Sequence, residues 1–130
     1  MKKKITIFGS TGSIGQSTLD IIKHNPDKYE VIALTANKNY LRLLEQANLF
    51  KPKIVSINDN ASYKKFIDLN SNKNLKVLNG QNSYEEILDF NTDLVMAAIT
   101  GSAGLLPVVS ALKKGLSIAL ANKESLVCSG

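Results

Sequence analysis

Residues 4–24 read KITIFGSTGSIGQSTLDIIKH. An apolar run, Ile5 to Phe8, meets a glycine-rich turn, GSTGSIG (9–15), and a stretch with helical spacing follows at once. Strand, tight turn, helix is the layout that leaves backbone N–H groups free at a helix N-terminus, aimed at an anion. The remainder of the chain reads as scaffold for that turn or as further lips around the same ligand.

Outward from the turn, strands and helices alternate. Residues 3–8 are apolar enough for a strand buried on both faces. Ile14, Thr18, Ile21 and Ile22 recur at helical spacing behind the glycines. Lys23 and His24 close that helix, where positive charge suits the dipole, and Asn25-Pro26 stops it; His24 reads as a helix-end residue. Residues 31–35 form a second strand, and ANKN (36–39) a polar turn. Tyr40, Leu43, Leu44, Ala47 and Phe50 mark a second amphipathic helix, closed before Pro52. A third strand spans 53–57. Asn58, Asp59 and Asn60 supply turn and cap residues for a short helix holding Tyr63, Phe66, Ile67 and Leu69. A loop at 70–74, a short strand at 75–78, an Asn79-Gly80 turn and a small helix around Tyr84, Ile87 and Leu88 follow. Residues 93–99 are again a buried strand. TGSAG (100–104) leads into a helix over 105–114 that tolerates Pro107 in its first turn, with Gly115 as C-cap. The strand 116–121 runs straight into NKES (122–125).

This alternation predicts βαβ units in one domain, residues 1–130: an α/β, Rossmann-type doubly wound, mostly parallel sheet with helices on both faces. In such sheets the ligand sits beyond the carboxyl ends of the strands. GSTGSIG, ANKN, TGSAG and ANKES all fall at those ends, and the opposite connections carry nothing comparable.

Bulk properties narrow the function. The 130 residues are 44% apolar and 21% charged, as in a soluble globular domain. No apolar run approaches the roughly 20 residues that span a bilayer, and the apolar part of MKKKITIF is too short for a signal peptide; neither a membrane nor a secretory route is expected. One cysteine and one histidine give neither a disulfide framework nor a zinc-type site, and Cys128 has no visible activating base. The net charge of +5 comes from Lys2, Lys3 and Lys4 at the start and otherwise scattered lysines with few aromatics among them, which fits a polyanionic small molecule at least as well as nucleic acid.

Each lip has a chemistry. Gly9 can turn sharply, Gly12 lets backbone approach a pyrophosphate, and Gly15 allows the helix to pack close to the strand. Thr11 and Ser13 add hydroxyls as helix cap or phosphate donors. A purely structural glycine turn is the plainer alternative. An NAD site usually places Asp or Glu at the end of the second strand, to accept from the ribose 2′-OH. Here Asn37, Lys38 and Asn39 stand there. A carboxylate would repel a 2′-phosphate; Lys38 would attract it and the two asparagines could donate to it, so NADP(H) is favoured over NAD(H). The plainer alternative is a solvated lysine. Asn122, Lys123 and Glu124 admit simple capping, or contacts from Asn122 and Glu124 to the nicotinamide-ribose end with Lys123 at a substrate oxygen, where a cation stabilises developing negative charge.

GSTGSIGQSTLDIIKHNPDKYEVIALTANKN (9–39) and VMAAITGSAGLLPVVSALKKGLSIALANKESLVCSG (95–130) together resemble the N-terminal NADPH-binding domain of the 1-deoxy-D-xylulose 5-phosphate reductoisomerases, with the middle of the chain looser. The resemblance implies an enzyme of non-mevalonate isoprenoid biosynthesis. In it deoxyxylulose phosphate is rearranged and reduced by NADPH to 2-C-methyl-D-erythritol 4-phosphate, with Mg²⁺ or Mn²⁺ holding the substrate. By position it implies cofactor phosphates at Thr11, Gly12, Ser13 and Ile14, and the adenosine ribose phosphate at Asn37, Lys38 and Asn39. It places cofactor contacts at Asn122 and Glu124 and the substrate at Lys123. The family often has glycine where Asn37 stands. Its metal carboxylates and substrate-phosphate site lie beyond residue 130, and Glu85-Glu86 reads as a solvated helix face rather than a replacement. The expectation is therefore a cofactor-binding part of a longer enzyme, without turnover alone and with no catalytic or metal residue of its own. A homodimer is implied only for the whole enzyme, in the cytoplasm of a bacterium or in a plastid-type organelle after loss of a targeting segment. The rivals are another NADP-dependent oxidoreductase domain and a non-catalytic nucleotide-sensing module.

Overall fold

The structure is a computed structural model that describes residues 2–80, 83–98 and 115–120. Its elements in chain order are β1 (Lys3–Phe8), α1 (Ser13–Lys23), β2 (Tyr29–Ala36), α2 (Tyr40–Phe50), β3 (Ile54–Ile57), α3 (Asn60–Leu69), β4 (Lys76–Asn79), α4 (Ser83–Leu88), β5 (Leu94–Ala97) and β6 (Ser117–Leu120). The six strands form one sheet in the order β4-β3-β2-β1-β5-β6, and every described pairing is parallel. The expected alternation is thus realised. β1 lies at the centre, where the strand order reverses, which is the switch point at which such sheets bind ligands.

Alternating side chains of the strands feed two cores. Ile5, Ile7, Val31 and Leu34 pack with Leu19 and Ile22 of α1, Leu43 and Ala47 of α2 and Phe66 of α3. Phe8, Ile32, Val95 and Ile118 pack on the other face with Tyr84, Ile87 and Leu88 of α4. There the Phe8 and Tyr84 rings meet edge-on at 5.2 Å, a favoured aromatic geometry. Burial raises the Tyr84 hydroxyl above its ordinary pKa. Both sheet faces are therefore covered, as a parallel sheet requires. The register of β2 against β1 slips by one residue between Val31 and Ala33, opposite Ile5 and Thr6. This bulge sends Ile32 and Ala33 to the same core.

Helix rotation departs from the periodic expectation in two places. In α1 the buried residues are Gly15, Leu19 and Ile22, while Ile21 is 59% exposed. The glycine decides this: it is the point of closest approach to the strand, so the helix turns Leu19 inward and Ile21 out. In α3, only Ser62 and Phe66 are buried, and Ile67 and Leu69 stay largely exposed. That helix lies over the short strands β3 and β4, and one seam covers them. The expected helix at 105–114, the TGSAG turn and Cys128 lie outside the described residues. Among the described residues no helix is long and apolar enough to cross a membrane.

Candidate nucleotide site

Three glycines build the turn between β1 and α1. Gly9 has φ +82°, a conformation that side-chain-bearing residues rarely adopt. Gly12 is exposed and stands as the N-cap of α1. Gly15 lies against the turn so closely that a Cβ there would sit 2.6 Å from Ser10 Cα and 2.7 Å from the Ser10 carbonyl carbon, and would also strike the Gly9 oxygen. The sequence reading of Gly9 as sharp turn and Gly15 as close contact holds. The capping role considered for Thr11 and Ser13 does not. The N-cap is Gly12, no side chain caps the helix, and its first turn holds no acidic residue.

The consequence is electrostatic. The first helical hydrogen bond runs from Gln16 N–H to the Gly12 carbonyl at 2.9 Å. The amides of Ser13, Ile14 and Gly15 precede it and have no acceptor within the helix. They end a helix of 11 residues, where the dipole favours an anion. Gln16 tightens the turn from behind, its Nε2 donating to the Thr11 carbonyl at 2.7 Å.

The turn is tied sideways to the end of β2. Gly9 N–H donates to Thr35 Oγ1 at 3.0 Å and Ser10 N–H to the Thr35 carbonyl at 2.9 Å. The same strand runs on into Asn37, Lys38 and Asn39, all exposed. The parallel sheet thus brings the glycine turn and the ANKN corner to one edge. Asn39 is the N-cap of α2, its Oδ1 accepting from Arg42 N–H at 3.2 Å. Its Nδ2 donors remain outside that bond. The Asn37 carbonyl accepts from Asp59 N–H at 2.9 Å, which fastens the corner to the start of α3. Asp59 caps α3, accepting from Ser62 N–H at 3.0 Å and Ser62 Oγ at 2.7 Å. These two bonds, above all the hydroxyl's, hold its carboxyl below the usual carboxylate range, with smaller help from Lys38 and Lys65. Lys65 in turn lies 5.6 Å from the centre of the Tyr40 ring.

Sequence reasoning missed what lies under the turn. Ser10 and Gln46 are buried polar residues, on the turn and on α2. Ser10 Oγ donates to Gln46 Oε1 at 2.7 Å, and Gln46 Nε2 donates to the Ser10 carbonyl at 2.9 Å. The one available signal was a glutamine three residues past Leu43, on the face of α2 that the apolar residues mark.

Glu85 and Glu86 are exposed, and Glu86 pairs with Lys76 at 2.5 Å. His24 caps the end of α1, with Nδ1 2.8 Å from the Asp20 carbonyl. Asn122, Lys123 and Glu124 lie outside the described residues. Among the described residues no three His, Cys, Asp or Glu side chains converge as a metal site.

Comparison with known proteins agrees with this geometry. The family model of 1-deoxy-D-xylulose 5-phosphate reductoisomerase matches residues 5–130. The reductoisomerase of Proteus mirabilis is 47% identical over 131 residues, covering 98% of this chain and 33% of its own length. Among solved structures, the Zymomonas mobilis reductoisomerase in complex with NADPH superposes with a TM-score of 0.87 at 40% identity, covering 96% of this chain and 33% of that one. A DOX-P reductoisomerase in complex with magnesium gives 0.86 at 37% identity, covering 96% of this chain and 32% of its own. The chain thus spans about a third of the length of the relatives it matches.

Proposed function

The chain belongs to the 1-deoxy-D-xylulose 5-phosphate reductoisomerase family, and on that premise we propose that it supplies the NADPH-binding domain of such an enzyme. One observation carries the reading. An uncapped helix N-terminus follows a turn, Gly9 to Gly12, that is hydrogen-bonded to the end of a strand continuing into lysine, not carboxylate. In this proposal Thr11, Gly12, Ser13 and Ile14 hold the cofactor's diphosphate through backbone N–H groups and two hydroxyls. Lys38, with Asn37 and Asn39, takes the 2′-phosphate. Asn122 and Glu124 contact the nicotinamide-ribose end, and Lys123 reaches the substrate. The NADPH complex of the Zymomonas mobilis relative supports the choice of cofactor.

When bound, NADPH supplies the hydride. What the described residues contribute is position: the turn fixes the diphosphate, and the ANKN corner selects the phosphorylated ribose. The whole protein would rearrange deoxyxylulose phosphate and reduce the product to 2-C-methyl-D-erythritol 4-phosphate, in the cytoplasm of a bacterium or in a plastid-type organelle, and as a homodimer. Mg²⁺ or Mn²⁺ would hold the substrate in the whole protein, through residues beyond this chain. Residues 1–130 alone would bind cofactor without turnover.

Titrating the full-length protein with NADPH and with NADH, followed by cofactor fluorescence, tests the proposal. Saturable NADPH binding with weaker NADH binding is expected. No binding, or equal affinity for both, would overturn it.

A further inference from the structure

We infer that Gln46, on α2 and out of reach of any ligand in front of the turn, is a positioning residue. It fixes the direction of the Ser10–Thr11 peptide and so aims the Thr11 N–H at the diphosphate. This rests on the cofactor reading above and adds to it the device that shapes the site.

A trans peptide carries its C=O and N–H in one plane, pointing to opposite sides of the C–N bond, and no cis bond occurs in the described chain. The Ser10 carbonyl is drawn inward by Gln46 Nε2 at 2.9 Å. The N–H at the other end of the same peptide, that of Thr11, must therefore point the opposite way, outward. Were this peptide to flip, a carbonyl dipole would replace an N–H donor at the mouth of the turn and repel the anion the turn is shaped to hold. Nothing else described bonds the Ser10 carbonyl, so one side-chain amide sets the sign of the local field.

The anchor itself is rigid. Gln46 is only 6% exposed and Ser10 is fully buried. Ser10 Oγ returns a bond to Gln46 Oε1 at 2.7 Å, so the carboxamide is held at both ends and cannot rotate. Ser10 N–H is engaged by the Thr35 carbonyl at 2.9 Å, which fixes the near side of the residue to β2. Three elements thus converge on Ser10: β2 through Thr35, α2 through Gln46 and α1 through Gly15, which lies against its Cα. Of the described hydrogen bonds, only that of Gln46 engages the carbonyl of the following peptide.

The test compares two ligands on two variants of the full-length protein. NADPH needs the diphosphate site; adenosine 2′-phosphate lacks the diphosphate bridge and needs only the ANKN corner. Gln46→Met keeps the volume and removes both bonds. Gln46→Glu keeps the acceptor for the Ser10 hydroxyl and, assayed at alkaline pH where the carboxyl is ionised, sets a negative oxygen against the carbonyl in place of the donor. Each variant is expected to lose about tenfold or more in NADPH affinity while holding adenosine 2′-phosphate within about twofold of wild type. Retained NADPH affinity in Gln46→Glu would overturn the inference, because the donor alone is what orients the peptide. Equal loss of both ligands would also overturn it, by showing general damage. Should Gln46→Met not fold, the nearly isosteric Gln46→Glu decides. Wild-type protein that binds no NADPH would sink the cofactor reading and this inference with it, and is recognised before any variant is compared.

Discussion

Replacing Gly15 by alanine puts the close packing of α1 to a direct trial. The new Cβ would lie 2.6 Å from Ser10 Cα and nearer still to the Gly9 oxygen, and the helix must back away by about 1 Å to bring that oxygen to the 3.4 Å of ordinary contact. Flexible side chains cannot absorb this, since all three nearest atoms are backbone. Alanine itself favours the helix by about 1 kcal/mol over glycine. Overpacking a close contact costs about 1–3 kcal/mol, so the helix gain is offset and a net loss of up to roughly 2 kcal/mol is expected where an open helix site would gain. The displacement matters more for binding than for stability. The amides of Ser13 and Ile14 ride on the same turn, and a misplacement near 1 Å can cost about a hundredfold in a positioned site; a fall in NADPH affinity of ten- to a hundredfold is expected. Urea unfolding followed by far-ultraviolet circular dichroism gives the first quantity, and cofactor fluorescence the second. A variant more stable than wild type, with unchanged NADPH affinity, would refute the account of the turn.

Two further outcomes follow from the ANKN corner and its neighbour. Lys38→Glu should weaken NADPH by roughly ten- to a hundredfold, from loss of one charge-assisted contact and gain of a repulsion, and leave NADH nearly unchanged; equal loss for both cofactors would remove Lys38 from the 2′-phosphate. Asp59→Ala should destabilise the domain at neutral pH by removing the cap of α3, and the difference should vanish on acidification. The sign follows from the lowered carboxyl: its contribution is complete above the ordinary value of 3.8 and is lost as the pH falls through its depressed folded value. A gap between wild type and variant that widened in acid would contradict the capping role.

How far the sequence disclosed all this differs by kind of interaction. The sheet was legible because alternating apolar strands and helical stretches permit few other arrangements; the strand order, with β1 in the middle, was not read from them. The turn's shape was legible too, since only glycine suits the positive φ of residue 9 and the contact at residue 15. Helix rotation was not. The apolar positions of α1 allow a face through Ile14, Thr18 and Ile21 or one through Gly15, Leu19 and Ile22, and periodicity cannot choose between them. The contact of Gly15 with Ser10 chooses, and it is tertiary. Gln46 was the least legible residue of the site. A glutamine in a helix ordinarily faces solvent, and its partner Ser10 lies 36 residues earlier in the chain. The division has a physical cause. Backbone geometry is set by residue type at a position and leaves a local trace, whereas a buried polar pair is set by two distant positions and leaves none in either. The proposed phosphate site combines the two: glycines that open the backbone, and the inferred distant donor that decides which end of a peptide dipole the ligand meets. The glycines alone therefore point to the proposed site without giving the peptide orientation inferred to set its affinity.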